Sequence, residues 1–92
     1  MISNEFDYEQ VRKESTFCIK QYKDGSIYRG ELNDDRQREG LGVLVYLSGR
    51  VYEGEWSKNR RSGRGYELFA SGNYYHGAYE AGKPNGKGVY SW

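Results

Sequence analysis

The sequence predicts an all-β protein, an elongated antiparallel β-meander of three stacked hairpins preceded by a short N-terminal helix or disordered tail. Three recurrences at nearly constant spacing carry that expectation. Tyr28-Arg-Gly30-Glu-Leu32 returns as Tyr52-Glu-Gly54-Glu-Trp56 and again as Tyr75-His-Gly77-Ala-Tyr79. A paired-glycine segment follows each copy: Gly40-Leu-Gly42, Gly63-Arg-Gly65 and Gly86-Lys-Gly88. An aromatic residue three places before a glycine marks Tyr22 to Gly25, Tyr46 to Gly49 and Phe69 to Gly72, and Trp92 stands where the next marker begins. A period in the range of about 20 to 50 residues signals a repeat architecture, each unit one supersecondary element resting on its neighbour.

Residues 1–15 read as a polar tail or short capping helix, with Ile2, Phe6 and Val11 at loosely helical spacing. The apolar side of such a helix would cover the first hairpin, as the end of a repeat array requires. No apolar run occurs there, so the segment does not read as a signal peptide. Residues 16–92 read as the repeat domain, with a leading segment at 16–25 and repeats at about 26–49, 50–72 and 73–92. Strands are expected at 16–22, 26–33, 40–47, 50–57, 63–70, 73–80 and 86–92. Asp24-Gly25, Ser48-Gly49 and Ser71-Gly72 supply the hairpin turns between strands rich in Tyr, Val and Leu. Gly82 aligns with Asn59, both residue types that tolerate a left-handed backbone, and so marks a second, tight kind of turn. The step from Tyr22 to Tyr46 is one residue longer than the step from Tyr46 to Phe69, which implies a longer turn within residues 33–39.

Alternation along a strand puts Tyr28, Gly30 and Leu32 on one face, together with their equivalents in the later repeats. Gly40, Gly42, Leu44 and Tyr46 are expected to share a face on the partner strand, as are Gly63, Gly65, Glu67 and Phe69, and Gly86, Gly88, Tyr90 and Trp92. Glycines then form lanes whose exposed backbone an aromatic ring can cover, and the thirteen glycines and ten tyrosines suit this division of labour. The opposite face mixes Leu41, Val43, Val45, Leu47 and Val51 with Arg29, Glu31, Glu53 and Glu55.

Net charge is +1, so any electrostatic function has to come from local clustering, and no nucleic acid is expected despite the interleaved Tyr and Arg. Cys18 is the only cysteine, which rules out an internal disulfide and leans towards a reducing, cytoplasmic location. Cys18 and His76 are the only nucleophile-and-base pair available, and they lie far apart in an array whose units touch only neighbours. They read better as a small hydrophobe and a strand residue. Asp34, Asp35, Glu53 and Glu55 lack the spacing of a calcium loop. No Gly-x-Gly pair opens a helix, as a phosphate loop would. No catalytic residue, metal or cofactor is therefore expected. Arg36, Arg38, Lys58, Arg60, Arg61 and Lys83 fall in one class of turn and are expected to form a basic edge. The edge suits an anionic phospholipid surface or an acidic protein, against the plainer reading that turn charges serve solubility.

Tyr-x-Gly-Glu-Trp, a short turn, Gly-x-Gly and then an aromatic before a Ser-Gly turn resembles the MORN (membrane occupation and recognition nexus) repeat over residues 22–92. The copy at 52–72 fits best. Leu32 stands in the place of Trp56, and Ala78 and Tyr79 replace the preferred Glu and Trp. The resemblance implies a grooved face that binds partners within cytoskeletal, ciliary or membrane-associated assemblies. Its expected lining is Tyr28, Leu32, Tyr52, Trp56, Phe69, Tyr75 and Tyr79. It also leaves open a regulatory or membrane-targeting role in a larger enzyme, such as a phosphatidylinositol phosphate kinase or a SET-domain lysine methyltransferase. Strand pairing at the C-terminal edge, with a partner or a second copy, is a further expectation.

Overall fold

The computed structural model describes residues 17–91. They form one seven-stranded antiparallel sheet in chain order: β1 (Cys18–Gln21), β2 (Ile27–Leu32), β3 (Arg38–Val45), β4 (Val51–Ser57), β5 (Arg60–Leu68), β6 (Tyr74–Glu80) and β7 (Lys83–Ser91). The sheet measures 48 × 27 × 26 Å. The expected capping helix and the ring of Trp92 lie outside the described residues.

Two kinds of turn alternate. After β1, β3 and β5 the chain makes a three-residue turn in which the amide of Gly25, Gly49 or Gly72 donates to the carbonyl of Tyr22, Tyr46 or Phe69, at 2.9–3.0 Å. Those glycines sit at φ 94°, 99° and 98°, which L side chains rarely adopt. The other turns are tighter. Lys58 and Asn59 (φ 49° and 71°) and Ala81 and Gly82 (φ 52° and 84°) each make a two-residue turn with both central residues left-handed, which matches the twist of the flanking strands. The residue inserted in the first repeat lengthens its turn, whose left-handed residue is Arg36 at φ 64°. Asn33 holds this turn by accepting the amides of Asp35 (2.9 Å) and Gln37 (3.0 Å) on its side-chain oxygen.

β5 and β7 follow two-residue turns that use little chain and begin at Arg60 and Lys83, and β3, after the longer turn, begins at Arg38, each earlier than the expected 63, 86 and 40. This shift corrects the reading of the glycine pairs. Gly42, Gly65 and Gly88 pair with Gly30, Gly54 and Gly77, and Gly42 pairs also with Gly54 and Gly65 with Gly77. The result is one continuous row of six glycines across the sheet, closed on the β1 side by Cys18 opposite Gly30. Gly40, Gly63 and Gly86 are not in it. They lie in bulges, at φ 73°, 62° and 92°, where the register shifts opposite Glu31, Glu55 and Ala78. Each bulge bends its strand and adds right-handed twist.

The core is made of rings laid on the glycine row. A Cβ at Gly42, Gly65 or Gly88 would strike the ring of Tyr28, Tyr52 or Tyr75 respectively. Each ring reaches from its own strand over the next, and its hydroxyl donates to the carbonyl at its own bulge: Tyr28 to Glu31 (2.7 Å), Tyr52 to Glu55 (2.8 Å) and Tyr75 to Ala78 (2.9 Å). All three rings are fully buried. Trp56 and Tyr79 meet them edge-on, so that Tyr28, Trp56, Tyr52, Tyr79 and Tyr75 form an unbroken series with centroids 5.0–5.6 Å apart. Trp56 Nε1 donates to the Gly42 carbonyl at 3.2 Å. The opposite face is wet: Phe17, Ile19, Leu41, Val45 and Val89 are exposed among its charges.

Candidate functional site

Six of the seven residues expected to line a groove turn out to be its foundation. Tyr28, Leu32, Tyr52, Trp56, Tyr75 and Tyr79 are buried, and Phe69 packs partly buried against them. Tyr28, Tyr52 and Tyr75 are inside because each lies on glycine backbone, and Trp56 and Tyr79 because they wedge edge-on against those rings. What remains accessible on the ring face is a second layer placed over them.

Arginines form much of that layer. Arg38, which opens β3, and Arg61, the second residue of β5, stand in equivalent places and fold inward rather than standing on an outer edge. Arg38 lies 4.7 Å from the Trp56 ring and 5.2 Å from that of Tyr22, while Arg61 lies 5.7 Å from Tyr52 and 5.4 Å from Tyr79. Both also clamp the following two-residue turn. The amides of Asn59 and Gly82 donate to the carbonyls of Arg38 and Arg61, each at 3.0 Å. The guanidinium groups answer, Arg38 donating to the Asn59 side chain (3.2 Å) and carbonyl (3.2 Å), and Arg61 to the Gly82 carbonyl (2.6 Å). The expected basic edge is thus divided: Arg36 and Lys58 occupy turns, Arg60 and Lys83 start strands exposed, and Arg38 and Arg61 belong to the ring face.

Glu67 is not among the residues the sequence pattern marks as a site, yet it is the most deeply placed charge among the described residues, 1% exposed. Its carboxylate is fully engaged. Arg50 donates to one oxygen through Nε (2.6 Å) and a terminal nitrogen (2.5 Å); Arg61 (3.0 Å) and the Tyr79 hydroxyl (2.8 Å) donate to the other. A buried carboxylate needs this completeness, because an unpaired one costs far more than the pair returns. The signal lies in the alternation, since Glu67 takes the ring-face place held by Leu44 in the first repeat and Tyr90 in the third.

These side chains bound a cleft of about 420 Å³ on the ring face, lined among others by Tyr22, Arg38, Leu44, Tyr46, Trp56 and Arg60. Asp24 stands on its rim, where the Ser26 hydroxyl and amide (2.6 and 2.9 Å) hold its carboxyl below the usual carboxylate range. Burial pushes the Tyr28 hydroxyl up to about 12 and raises Tyr52 and Tyr79 too, Tyr79 also because its proton is held by Glu67. These phenols remain neutral hydrogen-bond donors at physiological pH. A cleft of about 430 Å³ runs along the turn edge, lined by Ser57, Lys58, Arg60, Arg61, Ser62 and Ala81.

Cys18 on β1 and His76 on β6 are separated by four strands, so they share no site. Among the described residues, no group of three or more His, Cys, Asp or Glu is placed to hold a metal ion, and no helix is long and apolar enough to cross a membrane.

An open single sheet of stacked hairpins, with tyrosines on a glycine row and clefts above them, defines a β-repeat array built to present a surface. The MORN repeat matches residues 52–74 and 75–92, so this part of the chain carries two MORN repeats. Among curated proteins no relative matches. MORN repeats mediate protein or membrane interactions and are generally non-catalytic.

Proposed function

We propose that the chain is a non-catalytic scaffold that holds an extended or helical segment of a protein partner on its ring face. The supporting observation is the 420 Å³ cleft, in which Tyr22, Tyr46, Arg38 and Arg60 stand over a floor of locked rings. Aromatic and Arg side chains on a rigid base are what binding surfaces favour, because little entropy is lost when they are engaged. The buried tyrosines act as support, and contact falls to the rim. Proximity labelling with wild type and a Tyr22→Ser, Tyr46→Ser double variant tests this. The variant, folded by circular dichroism, is expected to lose specific neighbours; an unchanged neighbour set would overturn the proposal. Cytoplasmic placement in a cytoskeletal, ciliary or membrane-face assembly belongs to the same proposal, as does strand addition at β7, the last strand among the described residues.

A second reading is favoured by the 430 Å³ cleft beside Lys58, Arg60 and Arg61, whose cations suit an anionic phospholipid surface at about 1 kcal/mol per side chain. It also fits a membrane-targeting module within a larger enzyme. Co-sedimentation with phosphatidylcholine vesicles, with and without phosphatidylserine, tests it; equal and negligible binding to both would end it.

A further inference from the structure

The repeats answer their inward arginines differently. Arg61 is met from within the sheet by Glu67, with Arg50 and Tyr79 completing the carboxylate's shell. Arg38 occupies the equivalent place one repeat earlier, over the same kind of ring bed and with the same clamp on the next turn. There the equivalents of Glu67 and Arg50 are Leu44 and Ser26. Among the described residues Arg38 forms no ion pair. Asp24 on the cleft rim accepts both Ser26 bonds on one carboxylate oxygen, and the Arg38 charge reaches it without forming an ion pair. The space above Leu44 that a carboxylate would fill is instead part of the 420 Å³ cleft, together with Ser26, Tyr46 and Asn59.

We infer that Arg38 receives an external carboxylate, an Asp or Glu side chain of a partner peptide lying in this cleft, and so reproduces in trans the contact that Glu67 makes to Arg61 in cis. The inference rests on the proposed scaffold function and gives its partner a chemistry. Arg38 is well suited to this role, since its guanidinium is stacked on Trp56, oriented by Asn59 and permanently charged. Arg60 adds a second cation at the exposed rim, so an acidic neighbour in the peptide gains as well. Tyr22 and Tyr46 flank the position and supply apolar contact for the residues on either side.

The test selects a random dodecapeptide library, displayed on phage, against the immobilised chain and resynthesises the enriched peptides. Enrichment of Asp or Glu at one position is expected, with a change in Trp56 fluorescence on binding. Replacing that peptide residue by Gln or Asn, which leaves the protein untouched, should weaken binding about tenfold or more, the range for truncating one member of a desolvated charge pair. Arg38→Gln should weaken it similarly. Leu44→Glu, which places a carboxylate in cis against Arg38 but without counterparts of Arg50 and the Tyr79 hydroxyl, should block the peptide while melting lower than wild type, its fold checked by circular dichroism. Enriched peptides with no acidic preference, or indifferent to their own Glu→Gln change, would overturn the inference and leave the scaffold reading standing. Failure to enrich any peptide would overturn both. Arg38-dependent binding to phosphatidylserine vesicles without acidic-peptide binding would also overturn the inference, in favour of lipid.

Discussion

Adding one methyl group at Gly65 tests the ring-on-glycine core directly. A Cβ there collides with the Tyr52 ring, and the collision cannot be relieved while the ring stays in place. Eviction forfeits burial of the side chain, about 1.5–3 kcal/mol. It also loses the edge contacts with Trp56 and Tyr79, both at 5.0 Å and each about 0.5–1.5 kcal/mol, and the hydroxyl bond to Glu55, about 1 kcal/mol. Strand propensity returns only about 0.5–1 kcal/mol, leaving Gly65→Ala destabilised by about 3–6 kcal/mol. Gly72→Ala is the control, because that site is open and suffers only from its φ of 98°, about 1–2 kcal/mol. Since the clash needs the ring, the double variant Gly65→Ala, Tyr52→Ala should be hardly less stable than Tyr52→Ala alone, a coupling of about 3 kcal/mol. Urea unfolding followed by circular dichroism, with sucrose added for weak variants, measures the four variants against wild type. Additivity of the two changes to within about 0.5 kcal/mol would refute the packing described for Tyr52 and Gly65.

High pH should unfold the sheet. Tyr28 titrates near 12 folded against about 10 unfolded, so the unfolded chain loses its proton first; stability is complete below pH 10 and declines above it, by about 1.4 kcal/mol at pH 11 for this ring and about 4 kcal/mol with Tyr52 and Tyr79. Equal urea midpoints at pH 8 and 11 would contradict this. Glu67→Gln should cost about 3 kcal/mol, whereas Arg50→Ala, whose side chain is 38% exposed, should cost about 1 kcal/mol or less; thermal melts giving the reverse order would refute the role assigned to Glu67. Ala81→Asn, in a turn where Ala holds φ 52°, should stabilise by about 0.5–1 kcal/mol, and a lower melting temperature would show that the turn is not of the left-handed kind described.

The strand order and both turn families could be read from the sequence because glycine, tyrosine and turn residues recur in fixed register, and each copy corroborates the others. The bulges could not. Two glycines separated by one residue look alike in sequence, and only backbone pairing tells Gly42, lying under a ring, from Gly40, which sits at positive φ against the Glu31 carboxylate. The same blind spot misplaces Arg38 and Arg61: counting them as turn residues hides that the turn before each has already ended. The groove expectation correctly groups the aromatics, but alternation assigns a face without saying which members of that face remain uncovered. Glu67 is hard to pick out because a charged residue in a sheet usually denotes solvent, and its partners Arg50 and Arg61 arrive from two different strand ends.

Each ring in the row is owned by two strands at once, rooted in one, seated on the next and tethered by its hydroxyl to its own bulge. A strand cut from the next one would therefore have a tyrosine with nowhere to sit. Length can change in such a ribbon only by whole modules, and a deletion that removes one strand of a module should unseat the ring left on the other and loosen the neighbour joined through Trp56 or Tyr79.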